Sequence, residues 1–404
     1  MLDEHGMIVP LRQKEVYIVK QKPGKSVVAI LWVLSLLLSC AGGLFIGRGS
    51  GASDAKLAEI EGIIQQYYYK DVSDEDMEEG VLHGAVLALG DPYSMYMNKE
   101  EKQAYNETLE GQYSGIGVLA SMDKSMRPVI AQVYRGTPAE QAGLQKGDVI
   151  IAVDGEEIDL SASADLSKVT GKIRGEEDTE VSITVERNGQ KKEFTMKRKT
   201  VQINYVTCRM LTDTVGYIKI DEFSGSALTE YQAAVKELQE KGMQKLVLDL
   251  RDNPGGFVDY AVEIADELLP EGTIMSIKDK NGQSKEYKSD ASAADFPMAV
   301  LCNGNSASAS EILVAALKDY NRAAIIGEKT YGKGIIQSHF DLSWGGYLKL
   351  TTASYYSPNG NAIHEVGIEP NEKVSLPAEV QNGTVELTDQ NDTQLQKALE
   401  VLSK

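Results

Sequence analysis

The sequence predicts a multidomain α+β protein, and three observations along its 404 residues support this fold class. An uncharged apolar run lies near the N-terminus. Helical periodicity follows it, and then short β-rich segments separated by glycine-containing turns. From about residue 201 strands and helices alternate, which is typical of a layered α/β domain. We expect the following parts in chain order: an N-terminal stretch (1–25), an apolar span (26–47), a helical segment (53–110), a β-rich module (111–200), an α/β core (201–375) and a C-terminal tail (376–404).

The apolar span predicts a transmembrane helix. At a rise of 1.5 Å per residue, its roughly 22 residues cross a hydrocarbon core of about 30 Å. Basic residues precede it, namely Arg12, Lys14, Lys20, Lys22 and Lys25. The positive-inside rule then places residues 1–25 in the cytoplasm. We therefore expect a single-pass cell-membrane protein whose folded part lies on the extracytoplasmic side, as on a bacterial surface.

Two other interpretations of this span stay open. A cleaved signal peptide would have a shorter apolar stretch and an Ala-x-Ala site, and neither is present. A lipoprotein is suggested by Leu37 to Cys40 followed by Ala41, which has the form of a lipidation box. Because the apolar run continues to Ile46, an uncleaved anchor fits better.

Composition excludes several classes of function. The chain has 41 Lys and Arg against 60 Asp and Glu, a net charge of −19, whereas nucleic-acid binding requires a basic face. Its three cysteines show no CxxC spacing and form no cluster with the four histidines, so we expect no metal and no cofactor. Cys302 lies in an apolar run and is expected in the core, and the spacing gives no reason for a Cys208–Cys302 disulfide.

The segment 53–110 is predicted to be helical. Apolar residues recur at helical spacing from Leu57 to Tyr69, and a second helix fits Asp74 to Leu89, with acidic residues in its first turn. Gly90 and the Asp-Pro pair after it end this helix.

The module 111–200 is predicted to be β-rich. Strands are expected at 115–118, 128–133, 148–153 and 181–185, and a short helix follows the capping residue Thr137 and Pro138. Residues 137–155 (TPAEQAGLQKGDVIIAVDG), together with Ser114 to Val118, resemble a PDZ domain. The resemblance implies that Gly115, Ile116, Gly117 and Val118 present backbone N–H groups to a substrate's C-terminal carboxylate. The alternative is a PDZ fold that serves only as a structural lid.

Two segments of the core 201–375 carry the chemistry. Residues 303–312 (NGNSASASEI) follow a predicted buried strand and open a helix, so Ser308 lies among the free N–H groups of a helix N-terminus. Such a place suits the stabilisation of an oxyanion. The capping box Ser308–Glu311 is an equally good explanation from this segment alone.

The second segment, residues 327–337, has a lysine between two glycines. Its spacing is close to that of a phosphate-binding loop, but Gly334 replaces the Ser or Thr that would bind magnesium, and a strand pattern follows, so nucleotide binding is excluded. Lys333 is instead expected to lie close to backbone, where burial lowers its pKa and allows it to act as a neutral base. The amide of Gln337 could orient it without adding charge.

Together, residues 306–312 (SASASEI) and 327–337 (GEKTYGKGIIQ) resemble the C-terminal processing peptidases, serine proteases with a Ser/Lys/Gln triad. The resemblance implies Ser308 as nucleophile, Lys333 as general base and Gln337 as the residue that orients the lysine. Residues 248–256 (LDLRDNPGG) match the loop that supplies oxyanion-hole N–H groups, which implies Gly256, or else Gly255, together with Ala309. Glu311 and Asp319 fall where the family carries acidic residues.

The resemblance also implies the fold, the activity and the partners. The core is expected to be of the ClpP/crotonase type, and the protein to be a serine endopeptidase that cuts proteins near their C-termini. Expected partners are proteins or peptides with apolar C-termini, the membrane through residues 26–47, and a second copy of the chain through the C-terminal helix.

Competing functions remain. One is a Ser/His hydrolase that uses His339, although the chain has no Gly-x-Ser-x-Gly elbow. A second is a Ser-x-x-Lys site at Ser121 and Lys124, which falls inside the β-rich module without its partner motifs. The third is a PDZ scaffold that binds protein tails without cutting them.

Overall fold

The computed structural model describes residues 54–110, 112–123, 125–158, 166–290 and 293–404. The expected span at 26–47 and Cys40 therefore lie outside the described residues. Within these ranges no helix combines the length and apolar character that crossing a membrane requires. The chain divides into two compact units, Met1–Val81 and Leu82–Lys404.

The described part of the first unit is helical. Helix α1 spans residues 54–67, and α2 (Asp74–Leu87) starts with three acidic residues in its first turn. Gln65 Nε2 donates a hydrogen bond to Asp74 Oδ1 at 3.0 Å. Both helices end two residues earlier than predicted, α2 ahead of Gly90, whose φ is +64°.

The segment expected to be purely helical also contains a strand, which corrects the prediction for residues 53–110. Strand β1 (Met95–Met97) precedes α3 (Lys99–Glu110) and buries Tyr96 and Met97. Three residues are too few for an alternating pattern to be recognised in a sequence.

The β-rich module folds around one antiparallel sheet. Its elements in chain order are β2 (Gln112–Gly115), β3 (Val118–Met122), β4 (Pro128–Val133), α4 (Pro138–Ala142), β5 (Val149–Val153), β6 (Glu156–Glu157), α5 (Leu166–Ile173), β7 (Glu180–Arg187), β8 (Gln190–Lys197) and β9 (Lys199–Gln202). The sheet order is β3-β4-β5-β7-β8, and β6 pairs with β5. Thr137 caps α4, as the sequence predicts, and Gly143 ends it in the left-handed conformation. Helix α5 and strand β8 were not predicted.

Residues 115–118 do not form the predicted strand. Gly115 ends β2 and Val118 begins β3, and the two residues between them form a break, with Ile116 buried and Gly117 at φ +86°. A Cβ at Gly117 would lie 2.3 Å from the Cβ of Thr137, so the turn requires glycine. Strand β2 pairs instead with β9, so the chain segments that enter and leave the module form a two-stranded ribbon.

The α/β core begins after this ribbon. Its elements in chain order are β10 (Val206–Met210), β11 (Val215–Ile220), α6 (Ala227–Glu240), β12 (Lys245–Asp249), α7 (Val258–Leu268), β13 (Gly272–Asp279), β14 (Ser284–Ser289), β15 (Met298–Cys302), α8 (Ala309–Asp319), β16 (Ala323–Gly327), β17 (Ile335–Asp341), β18 (Tyr347–Tyr356), β19 (Glu372–Lys373), α9 (Ala378–Gln381) and α10 (Thr393–Leu402).

The central sheet has the order β10-β11-β12-β15-β16-β19 and is parallel from β11 onward. Its inner strands β12, β15 and β16 are largely buried apolar runs, as expected when both faces are covered. Leu246 and Leu248 pack with α6, α7 and α8 on one face. Val247 and Leu301 pack with Leu395 and Ala398 of α10 on the other.

A second sheet has the order β1-β18-β13-β14, with β17 also paired to β18. Strands β13, β14 and β18 were not predicted. Cys208 on the edge strand β10 and Cys302 on β15 are both free, and two strands separate them, so no disulfide joins them. Cys302 is fully buried, as predicted.

Candidate active site

Ser308 lies in a strained turn between β15 and α8. Its φ is +55° and its ψ is −118°, a region that residues with a Cβ rarely occupy. Such strain persists only where the surroundings impose it, and it is often found at functional sites. The turn places Ser308 directly before the N-terminus of α8, where the helix dipole favours negative charge.

The Gly-Gly loop of residues 252–256 lies against this turn. Fully buried Asn253 fixes the loop: its Nδ2 donates to the Ile220 carbonyl at 2.9 Å, and its Oδ1 accepts the N–H of Gly255 at 2.9 Å. A Cβ on Gly255 would lie 2.7 Å from Ser308 Cβ, so glycine permits the close approach.

Two backbone N–H groups beside Ser308 are free to meet an oxyanion. Asn253 occupies the N–H of Gly255, whereas the N–H groups of Gly256 and Ala309 make no hydrogen bond to any residue that the structure describes. Of the two glycines left open by the sequence, the geometry therefore favours Gly256 as donor.

Glu311 joins the Ser308 turn to the lysine loop. Its carboxylate is fully buried and accepts the N–H groups of Ser308 (3.0 Å) and Lys333 (2.7 Å) on Oε2. Its Oε1 accepts the N–H of Gly332 (2.7 Å) and the hydroxyl of Thr330 (2.6 Å). The carboxylate thus does more than cap a helix, because it holds together the two segments that the sequence singled out.

The side chain of Lys333 is half-buried, and its Nζ lies 4.3 Å from the centre of the Tyr93 ring. Burial lowers the pKa of Lys333, and the positive charge of Lys349 lowers it further, while Asp91 and Glu311 act in the opposite direction. The lowered pKa favours the neutral amine that a general base requires. Among the described residues, no hydrogen bond joins its Nζ to Ser308.

Gln337 does not contact Lys333 through a hydrogen bond. Its Nε2 donates to Thr351 Oγ1 at 3.1 Å on the neighbouring strand β18. The Thr351 N–H in turn donates to Ser94 Oγ at 3.0 Å, and Ser94 Oγ donates to Asp91 Oδ2 at 2.5 Å. The turn at residues 91–94 thus approaches the site from the segment that precedes the β-rich module.

A cleft opens between these segments. Its walls include Tyr93, Pro254, Ala307, Tyr331 and Lys333. The aromatic rings and Pro254 make it partly apolar, and Asp252 and Asn305 lie at its rim.

The alternative residues lie elsewhere. His339 hydrogen-bonds through Nδ1 with the Tyr347 hydroxyl, and no hydrogen bond links it to Ser308 within the described ranges. Asp319 accepts from Ser357 Oγ and the Asn359 N–H, so it ties α8 to the end of β18. Ser121 lies on β3 in the β-rich module, and Lys124 is outside the described residues.

Sequence reasoning missed Tyr93, Asn253 and Tyr355. The Asp-Asn-Pro-Gly-Gly run could have indicated Asn253, since Asn commonly hydrogen-bonds to backbone in such turns. No local pattern marks Tyr93 or Tyr355, because their contacts with the site are long-range.

The second predicted site is at the break between β2 and β3. Within the described residues, neither the N–H of Ile116 nor that of Gly117 makes a hydrogen bond. Strand β3 is the outer strand of its sheet, and Val169 and Ile173 of α5 pack in the same core as Val118 and Ala120 of β3. An open strand edge beside a helix is a setting in which peptides add as a further strand.

Three profiles of known families match the chain. They are peptidase family S41 over residues 214–374, the PDZ domain over residues 129–187, and the activating protease CtpB N-terminal domain over residues 48–101. The expectation of a PDZ domain within the β-rich module is thereby confirmed.

Curated relatives and a solved structure agree with these matches. A CtpA-like serine protease of Staphylococcus saprophyticus is 35% identical over 365 residues, 86% of this chain and 73% of the relative. Its counterpart in Staphylococcus aureus is 36% identical over 80% of this chain, which spans 65% of that relative's length, just under two thirds. An S41 protease from Bacteroides fragilis shares the fold, with a TM-score of 0.55 and 20% identity over 85% of this chain and 96% of that one.

Proposed function

This chain belongs to the C-terminal processing serine peptidases of family S41, and we propose that it cuts proteins near their C-termini with Ser308 as nucleophile and Lys333 as general base. The observation that carries this assignment is the Glu311 carboxylate, which binds the backbone of both residues and so holds their segments side by side. Gly256 and Ala309 are the proposed oxyanion donors, since their N–H groups are free, Ala309 follows Ser308 directly, and Gly256 follows Gly255, which lies against the Ser308 turn.

The proposed reaction is acyl transfer through a covalent intermediate. Neutral Lys333 leaves the Tyr93 ring by rotation of its side chain and accepts the proton of Ser308 Oγ. The oxygen attacks the peptide carbonyl, and the two N–H groups stabilise the oxyanion. The C–N bond then breaks, Lys333 gives its proton to the leaving amine, and a water molecule repeats the sequence to release the new carboxylate.

Gln337 is proposed to orient Lys333 once the lysine has turned toward Ser308. In the structure the amide is held by Thr351, one strand away, so this role requires it to exchange one hydrogen bond for another.

The PDZ domain is proposed to bind the apolar C-terminus of the substrate. The tail would add as a strand along the outer edge of β3, its carboxylate meeting the backbone at residues 115–118, where the N–H groups of Ile116 and Gly117 are free. Side chains of the tail would face α5. We also propose that the PDZ domain controls access of the substrate to Ser308.

We further propose that residues 26–47 anchor the protein in the cell membrane, with the peptidase on the extracytoplasmic side of a bacterium. Support comes from the apolar span and the basic residues that precede it. A second copy of the chain is the proposed partner through the C-terminal helix.

The test uses the full chain in detergent with two loosely folded substrates, one ending in an apolar tail and the other in a charged tail. Mass spectrometry identifies the cuts. We expect cleavage of the apolar-tailed substrate, and loss of at least about 1,000-fold in rate in Ser308→Ala and Lys333→Ala.

Matched variants separate the alternatives. Lys329→Ala removes a half-exposed lysine of the same loop, whose Nζ lies 3.7 Å from Glu369, and should leave the rate unchanged. Cleavage that survives Lys333→Ala but not His339→Ala would replace the lysine base by the histidine. Tail binding without any cleavage would favour a scaffold.

A further inference from the structure

Tyr355 lies beneath the site at the end of β18. Its side chain is 1% exposed, and its hydroxyl donates to the carbonyl oxygen of Ser308 at 2.9 Å and to that of Lys333. A hydroxyl has one proton, so the two carbonyl groups share it in a three-centre hydrogen bond. One buried group thus contacts the backbone of both the proposed nucleophile and the proposed base.

The hydroxyl is the counterpart of the Glu311 carboxylate. Glu311 accepts the N–H groups of Ser308 and Lys333, and Tyr355 donates to their carbonyl oxygens. Both residues are therefore tied to each other through their donors and through their acceptors.

The two carbonyl groups depend on Tyr355 unequally. The Ser308 carbonyl also accepts from the N–H groups of Glu311 (2.8 Å) and Ile312 (3.1 Å) in the first turn of α8. The Lys333 carbonyl accepts from Tyr355 alone within the described part of the chain. Removal of the hydroxyl therefore leaves the Lys333 carbonyl without a hydrogen bond from the described residues, whereas the Ser308 carbonyl keeps two.

The local backbone cannot compensate for this loss. Lys333 is flanked by Gly332, with φ +95°, and by Gly334, and glycine gives the chain freedom rather than stiffness. A Cβ on Gly334 would lie 2.2 Å from the backbone nitrogen of His364, which explains the glycine but provides no hydrogen bond to Lys333. The carbonyls of the flanking glycines are held by backbone, Gly332 by the Glu365 N–H (2.8 Å) and Gly334 by the Tyr355 N–H (3.0 Å). The N–H and the carbonyl of Lys333 itself bond only to Glu311 and Tyr355 among the described residues.

We propose that Tyr355 is a positioning residue of the peptidase, whose hydroxyl fixes the Lys333 peptide against the Ser308 peptide so that the amine reaches the serine oxygen. Proton transfer requires a separation of about 2.6–3.2 Å between the heavy atoms, so a small shift of the loop costs rate. Burial and the Glu311 charge raise the pKa of Tyr355 well above its ordinary value, so the hydroxyl remains a donor across the working pH range. This inference rests on the proposed roles of Ser308 and Lys333.

The test compares Tyr355→Phe with Tyr356→Phe in the full chain. Phenylalanine keeps the buried ring and removes only the hydroxyl. Tyr356 is the next residue on the same strand, is less buried, and its hydroxyl has no hydrogen-bond partner among the described residues. For each variant, labelling to completion with a fluorophosphonate counts the reactive serines, and kcat is expressed per labelled site.

We expect Tyr355→Phe to lower kcat per labelled site by about 10- to 100-fold, with KM changed less than about twofold, and Tyr356→Phe to match the parent. The rate of labelling, followed against pH, should lose its dependence on the titration of Lys333 in Tyr355→Phe and keep it in Tyr356→Phe. A residue that serves only the fold would lower the number of labelled sites and leave kcat per site and the pH profile unchanged.

Several outcomes overturn the inference. They are an unchanged kcat per site in Tyr355→Phe, an equal loss in Tyr356→Phe, or failure of Tyr355→Phe to fold, each of which assigns the hydroxyl no role in positioning. Ser308→Ala and Lys333→Ala, measured alongside, distinguish failure of the inference about Tyr355 from failure of the proposed function. If both are inactive while Tyr355→Phe is fully active, only the inference about Tyr355 fails, and if either is active, the proposed function fails.

Discussion

At the scale of single residues, the environment of Lys333 combines opposing charges. Burial and Lys349 lower its pKa, whereas Asp91 and Glu311 raise it. The resulting pKa of Lys333 lies below the ordinary lysine value of 10.5, so more of its amine is neutral at a given pH than in free lysine. The residues that set this balance come from three separate parts of the sequence.

Lys349→Met should therefore shift the activity to higher pH. Removing the neighbouring positive charge makes the protonated form of Lys333 easier to maintain, so its pKa rises and less neutral amine is present at neutral pH. We expect the acidic limb of kcat/KM to move up by about half a unit to one unit, and the rate at neutral pH to fall about three- to tenfold.

Asp91→Asn provides the control of opposite sign for that experiment. It removes a negative charge and keeps one oxygen, which can still accept the Tyr93 N–H, whereas the Ser94 hydroxyl, which donates to the other carboxylate oxygen, loses that acceptor. The acidic limb should move to lower pH. If the acidic limb of kcat/KM moves in the same direction in both variants, the charges around Lys333 do not control the pH dependence of the activity.

Ser308, Lys333 and the Gly-Gly loop can be identified from the sequence because each lies in a recognisable local pattern of residues. Glycines flank the lysine, small residues surround the serine, and a buried strand precedes each loop. Glu311 was ambiguous, since a capping box and a four-donor carboxylate begin with the same Ser-x-x-Glu spacing. Tyr93 and Tyr355 could not be predicted, because each meets the site only through the fold and neither carries a periodic or turn signal.

At the scale of secondary-structure elements, strand β18 supports most of the base side of the site. It carries Tyr355, and its Thr351 holds Gln337 and contacts Ser94. It also pairs with β1, β13 and β17. The alternating strands and helices of the central sheet follow from apolar runs in the sequence, whereas β13, β14 and β18 mix polar and apolar residues and depend on partners far along the chain.

Helix α10 is joined to the oxyanion loop through Arg251. This guanidinium is nearly buried, donates to both carboxylate oxygens of Asp249, and also binds Asp392 (2.8 and 3.0 Å) and Gln394 (2.9 Å). Asp392 in turn caps α10 by accepting the Leu395 N–H at 2.9 Å. The Gly-Gly loop starts at the next residue after Arg251.

Arg251→Met should cost about 3–5 kcal/mol of unfolding free energy, because two buried carboxylates lose their common partner. Arg209→Met is the matched control: Arg209 also bridges a core strand to the C-terminal segment, through Asp389 at 2.6 and 2.7 Å, but its side chain is 44% exposed. An exposed pair contributes about 0–1 kcal/mol.

Urea denaturation of both variants measures this difference. Equal losses in the two would show that the buried network contributes no more than a surface ion pair. Cleavage assays on the folded fraction of Arg251→Met would then report how far the oxyanion loop depends on α10.

At the scale of the whole molecule, the proposed sites of tail recognition and of cleavage lie in different parts of the chain. The proposed tail site is at the β2–β3 break, and the proposed peptide-bond chemistry is at Ser308. The β2–β9 ribbon joins the two chain segments through which the PDZ domain is connected to the core. Binding of a tail should therefore change the affinity for substrate more than the chemistry itself.

Amidation of the substrate's C-terminus tests this separation. It removes the negative charge that the free N–H groups of Ile116 and Gly117 would meet, and leaves the bond to be cut unchanged. We expect KM to rise about tenfold and kcat to change less than about twofold. The comparison uses the same peptide with a free or an amidated terminus, and a drop in kcat with constant KM would contradict the proposed tail site.

The pairing of β1 with β18 joins residues about 250 positions apart, and α10 follows β18 in the chain. During synthesis the PDZ domain, whose strands pair over short separations, can fold before the core is complete. Strand β18, Tyr355 and α10 are synthesised after the segments that carry Ser308 and Lys333. A nascent chain therefore carries its serine and its lysine before the framework that brings them together exists, and we expect the newly made peptidase to stay inactive toward neighbouring unfolded chains until β18 and α10 have emerged and folded.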